Sequence, residues 1–286
     1  MIILDKKRVF SEKWIEILQE IAEFRRTSHS HWIWFRGHSS DTYTLDSGLF
    51  RAKENGEYLP LDYYLKHEYL LIQSFENNSA SIITTKGNST WEAVFQMQHH
   101  GLKTRLLDWT ESLSTALYFA FNEWKYNNNE NAEIWILDPY ALNEYLIEDP
   151  TIQTVRSLKD RDFINAFDHG QPTSLNSFSI YPSKVNSRLL SQSAFFTVQG
   201  NKLLSLDQEV INQAGVDQKI VKRIELTPDL ATDIYEYLVI NGVNDFTVFN
   251  DADGLSKSLN KDIIDRLFDP KLDGIVRFQK NENYRN

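Results

Sequence analysis

The apolar positions along the 286-residue chain fall into alternating helical and extended patterns. In SEKWIEILQEIAEFRR, residues 11–26, Trp14, Ile17, Leu18, Ile21 and Phe24 recur at three- and four-residue spacing behind Ser11, which predicts a capped amphipathic helix. Residues 32–35 are aromatic and β-branched, and Gly37 follows. That predicts a short strand, stopped by the glycine, with Arg36 at its end. Helical spacing returns at 61–77 and at 89–98, the second capped by Ser89 or Thr90. KTRLLDW reads as a strand or an extended entry. From Thr110, the expected N-cap, Leu113, Ala116, Leu117, Ala120, Phe121 and Trp124 predict a helix buried over most of its girth. Strands are expected at 133–139, ended by Pro139, at 195–200 and at 221–228. A helix at 228–240, a strand at 245–249 and a last helix from about Leu255 to Leu267 complete the pattern. Between them, 149–187 is long, polar and weakly periodic, the signature of a functional loop.

Strands and helices mix without a regular βαβα alternation. The expectation is an α+β fold, one compact domain with a mixed or antiparallel sheet flanked by helices. Neither GxGxxG nor GxxxxGK[ST] occurs, so any nucleotide must be held without a Rossmann fingerprint or a Walker loop. The chain has no cysteine, which excludes disulfides, thiolate metal sites and thiol nucleophiles. Thirty basic against 40 acidic residues give a formal net charge of −10, which counts against generic affinity for nucleic-acid backbones while leaving room for local basic patches. The opening MIILDKKRVFSEKW lacks the apolar core of a secretory signal, and no apolar run approaches the roughly 20 residues of a membrane helix, so a cytoplasmic, membrane-free protein is expected.

Three segments could carry chemistry. Trp34-Phe35-Arg36-Gly37-His38 sets a guanidinium after an aromatic strand, where its planar fork suits phosphate, carboxylate or ribose oxygens, or else a structural carboxylate. Gln98-His99-His100-Gly101 ends a helix. Gly101 suits a left-handed cap and a histidine in the last turn suits the helix dipole, while no HxxxH or HExxH spacing exists, so no metal is expected. In Thr104-Arg105-Leu106-Leu107-Asp108-Trp109-Thr110, alternation puts Arg105 and Leu107 on one face and Leu106 and Asp108 on the other. Asp108 is placed to bond the backbone opening the next helix, while the arginine and the histidine pair within a few residues of that helix N-terminus suit an anion. Farther on, Asn186, Arg188 and Gln192 precede Phe195. Asp251 to Gly254 reads as a turn, since the remaining ligands of a calcium loop are missing.

Taken together, Phe35-Arg36-Gly37, Gln98 to Gly101, Thr104 to Thr110 and the following Ala116-Leu117-Tyr118-Phe119-Ala120 resemble the FRG domain family, named for its Phe-Arg-Gly motif. Asn186, Arg188, Gln192, Phe195 and Asp251 to Gly254 look like its downstream motifs. The resemblance therefore implies a helical segment at 1–29, an FRG-like domain at 30–260 and a C-terminal helix and tail at 261–286. His38, Lys103 and Ala194 depart from the family's usual residues. Family members are widespread in bacteria and phages, and some accompany defence systems.

More loosely, the motif order is similar to that of the ADP-ribosyltransferase fold. That likeness implies NAD as substrate, held by Arg36, His38, His99, Thr104, Arg105 and Arg188. Arg36, His99, Asp108 and Gln192 would carry catalysis, with Gln192 where such enzymes usually have a glutamate. An amide cannot act as a general base, so Asp108 would have to supply the carboxylate. The expected activity is ADP-ribosyl transfer to a protein or nucleic-acid acceptor, or NAD glycohydrolysis. The alternatives are a nucleotide-binding module without turnover and, with less support, a nuclease using His99, His100 and Asp108.

Overall fold

The computed structural model describes residues 10–79, 89–158, 175–182, 194–214 and 219–261. Its centre is a six-stranded sheet built from β1 (Trp34–His38), β4 (Leu106–Thr110), β5 (Ala132–Leu137), β6 (Phe178–Ile180), β7 (Ala194–Val198) and β8 (Val221–Leu226) in the order β6-β7-β4-β1-β5-β8. Every neighbouring pair is antiparallel. A two-stranded ribbon, β2 (Lys53–Glu54) with β3 (Glu57–Tyr58), stands apart. With the helices described below, this is an α+β fold, as the mixed pattern implied.

One sheet face carries two separate apolar clusters. Helices α1 (Glu12–Thr27), α4 (Leu113–Asn122) and α7 (Ala231–Ile240) pack Trp14, Ile21, Leu117, Phe121 and Ile234 against Phe35, Ile134 and Ile224 of the β1-β5-β8 half. Helices α2 (Leu61–Ser79) and α3 (Thr90–His99) pack Ile72, Trp91 and Phe95 against Leu106, Phe196 and Ile180 of the other half. On the opposite face a single cluster crosses both halves, with Trp34 stacked on Phe195 at 4.8 Å between ring centroids, beneath α5 (Pro139–Ile147) and α6 (Leu206–Ala214).

Several elements differ from the sequence pattern. Gly37 does not stop β1: it lies inside the strand opposite Ile134, and the ladder with β5 runs on to His38. Its missing side chain instead lets α4 sit on the strand. A Cβ there would overlap the Ala116 carbonyl oxygen and stand 2.8 Å from the Ala120 nitrogen. Thr110 does not cap α4 but closes β4, paired with Phe35 and Ala194. Ser112 is the cap, its Oγ accepting from the Thr115 nitrogen at 3.2 Å. Pro139 ends no strand region on its own account; it occupies the first turn of α5 behind Asp138, whose carboxylate caps the helix. DFTVF is helix α8 (Asp245–Phe249), because an Asn244–Thr247 capping box outweighs its β-prone composition. Asp251 caps the last described helix, α9 (Ala252–Leu259), accepting from the Gly254 nitrogen, so the Asp251 to Gly254 stretch is structural. Within 149–187, residues 178–180 form β6; 159–174 and 183–187 lie outside the described residues, as does the expected helical stretch beyond Lys261.

Arg105 is part of this framework. It is fully buried; its Nε donates to Glu68 Oε1 at 2.7 Å and its Nη2 to Glu68 Oε2, while Nη1 donates to the Gln199 carbonyl at 3.0 Å and to Asn201 Oδ1 at 3.1 Å. The fork thus clamps α2 to the sheet.

Two stability predictions follow from these contacts. Gly37→Ala should cost about 3 kcal/mol in urea unfolding, since a backbone carbonyl must move to admit the methyl group. Glu68→Gln should cost about 3–5 kcal/mol by leaving a buried cation without its charge partner, whereas the double change Glu68→Leu with Arg105→Met should recover most of that loss.

Candidate functional site

The ladder between β1 and β4 is registered at one position, Phe35 opposite Thr110. Farther along, the backbone carbonyl of Asp108 accepts a hydrogen bond from Arg36 Nη1 at 2.6 Å, so a side chain takes the place of a strand rung. A cleft of about 1190 Å³ opens at this seam, between the C-terminal end of α3 and the cleft side of α4, and its lining includes Arg36, His38, His99, Asp108 and Phe119. That volume exceeds what a drug-sized ligand needs.

Arg36 is held from behind. Its Nε donates to His38 Nε2 at 2.9 Å, which requires the neutral imidazole with its proton on Nδ1, 2.8 Å from Glu133 Oε1. Burial holds His38 down at about 4, well below the ordinary histidine range; the hydrogen bond to Glu133 opposes this, and Arg36 adds to it. Glu133 also accepts from Trp135 Nε1 at 2.6 Å and is ion-paired to Arg223 Nε at 2.6 Å. The antiparallel register generates this row: Arg36 lies opposite Trp135 and Trp135 opposite Arg223, with His38 opposite Glu133. The Arg36 side chain is 15% exposed. Burial lowers its pKa to about 10, Asp108 opposing the shift, so the guanidinium stays charged at neutral pH.

The opposite wall comes from α3. Thr104 Oγ donates to Gln98 Oε1 at 2.6 Å, and Gln98 Nε2 donates to Asp108 Oδ2 at 2.7 Å. Asp108 Oδ2 is 3.9 Å from Arg36 Nη1, and the Asp108 side chain is 56% exposed. A chain of polar contacts thus runs from Thr104 through Gln98, Asp108, Arg36 and His38 to Glu133. Gly101 adopts the left-handed conformation at φ 81°, turning the chain just after His99 and His100, whose rings meet edge to face at 4.9 Å. His99, His100 and Lys103 line the cleft with Arg51.

The structure therefore brings Arg36, His38, His99 and Asp108 to one cleft. Asp108 does not bond the backbone opening α4; Gln98 engages it instead. Thr104 is buried and acts on Gln98 rather than reaching the cleft, and Arg105 is spent on Glu68. Asn186, Arg188 and Gln192 lie outside the described residues. Sequence reasoning missed Glu133, whose only signal was a carboxylate at the head of an apolar strand, and it gave no role to Gln98 or Phe119. Among the described residues, no group of three or more His, Asp or Glu side chains could hold a metal ion, and no helix is long and apolar enough to cross a membrane.

No curated protein and no solved structure matches the chain. Residues 31–129 do match the model of the FRG domain, a span that holds Arg36, His38, Gln98, His99, Gly101 and Asp108 of the cleft lining. Over that span the chain carries an FRG domain.

Proposed function

We propose that the cleft binds NAD through its pyrophosphate and breaks the N-glycosidic bond to nicotinamide, passing ADP-ribose to water or to a protein or nucleic-acid acceptor. One observation carries this reading. His38 and the Asp108 carbonyl hold Nε and Nη1 of the Arg36 guanidinium, while Nη2 makes no hydrogen bond with any described residue in a cleft large enough for a dinucleotide. A guanidinium fixed through two nitrogens, with the third turned to the cleft, is a preorganised donor for a phosphate.

Asp108 provides the chemistry. As nicotinamide leaves with the bonding electron pair, positive charge develops on the ribose C1′, and a carboxylate oriented by Gln98 stabilises it. When water attacks C1′, the same carboxylate accepts the proton that the water releases. His99, on the α3 wall, faces the ribose in this arrangement. A second reading, a sensor that binds the nucleotide without cleaving it, is favoured by the engagement of Asp108 with both Gln98 and Arg36.

Incubating the purified chain with NAD, and following nicotinamide release beside thermal unfolding, separates the two. Cleavage should fall by about 10²–10⁴-fold in Asp108→Asn with the NAD-induced thermal shift retained. Arg36→Lys should lose the shift, because an ammonium cannot hold His38 and the Asp108 carbonyl while presenting a fork. A shift without nicotinamide release selects the sensor. Intact NAD and no shift, where a control transferase consumes NAD, would overturn both.

The buried histidine adds a pH dependence. Its folded-state pKa, about 4, lies below the ordinary value of 6.5. Between these values the unfolded chain binds the proton and the folded chain does not, so stability rises with pH there and is lost as pH falls from 6.5 towards 4. The full amplitude is about 3 kcal/mol. In His38→Gln, which keeps an acceptor and a donor, urea unfolding from pH 7 to pH 4 should lack that component.

A further inference from the structure

From Thr115 to Phe121, α4 buries every side chain except Phe119, which is 39% exposed and lines the cleft. The Phe249 ring stands 6.1 Å away at 85°, so the two rings make a perpendicular corner. Lys257 Nζ lies 5.7 Å from the Phe249 centroid and lines the same cleft. The position of the corner is fixed. Gly37 seats the Ala116 to Ala120 turn of α4 directly on β1, and Phe119, on that turn, lines the same cleft as Arg36. A phosphate seat and an exposed aromatic face thus line one cavity. An inorganic anion or a sugar phosphate would leave the ring in water; a planar base stacked on it would not.

We propose that Phe119, with Phe249 at its edge, is the base-stacking subsite of the cleft, and that the ligand class is therefore a nucleotide lying with its phosphate at Arg36 and its base against α4. The assignment rests on the reading of Arg36 as the phosphate seat. It goes beyond that reading by making an aromatic side chain the element that selects nucleotides from other phosphates.

Calorimetric titrations of the whole chain with pyrophosphate, ADP and nicotinamide mononucleotide test it. At least one of the two nucleotides should bind about tenfold or more tighter than pyrophosphate. Phe119→Ala should reduce that advantage to within about twofold and leave pyrophosphate affinity unchanged, and Phe119→Trp should keep it. The nucleotide that suffers identifies which half of a dinucleotide meets the ring. If Phe119→Ala leaves both nucleotides unaffected, or weakens pyrophosphate equally, the subsite assignment is overturned while the Arg36 seat stands. If neither pyrophosphate nor any nucleotide binds, the Arg36 seat fails and the subsite fails with it.

Discussion

A carboxylate with almost no access to solvent, Glu133, organises the centre of this molecule. Removing such a charge from water costs several kcal/mol unless donors replace the water. Here the His38 imidazole on β1 and the Trp135 indole on β5 donate to Oε1, and the Arg223 guanidinium on β8 is ion-paired with Oε2. The consequence is directional. Glu133 accepts a hydrogen bond from His38 Nδ1–H, which leaves Nε2 as an acceptor, and that acceptor fixes Arg36 Nε. The orientation of the arginine in the cleft is therefore decided two residues away, inside the sheet.

The two arginines of the early motifs show why a residue's place in a motif does not reveal its task. Arg36 and Arg105 both flank apolar strands and both have carboxylates nearby. Arg105 meets four acceptors and has no direction left for a ligand, whereas Arg36 meets a neutral imidazole and one carbonyl. The difference is a count of acceptors, and those acceptors come from Glu68, Gln199 and Asn201, distant in sequence. Local pattern cannot supply it.

Much of the fold was legible for the same reason that this was not. Helix α1, the Ser89 cap, the Gly101 turn and the apolar girth of α4 depend on spacing and local caps, and they fall where periodicity puts them. Local pattern misplaces what depends on a partner or a competing cap: Gly37 has the look of a strand stop, while its smallness serves helix α4, and DFTVF has a strand's composition, while Asn244 caps it as a helix. The cleft was half legible. Its motif residues converge, but the members that orient them, Gln98 and Glu133, hold their places through hydrogen bonds that alternation alone does not encode.

The single rung between β1 and β4 has a mechanical meaning. On one face the sheet is stitched across by Trp34 on Phe195, while on the other its two apolar clusters stop short of each other at the seam. Two plates joined along one side hinge about that side, so any bending of the sheet at the seam changes the width of the cleft. A molecule gripping Arg36 and leaning on the α4 wall would act as a spacer in the gap, coupling its own size to the angle between the plates.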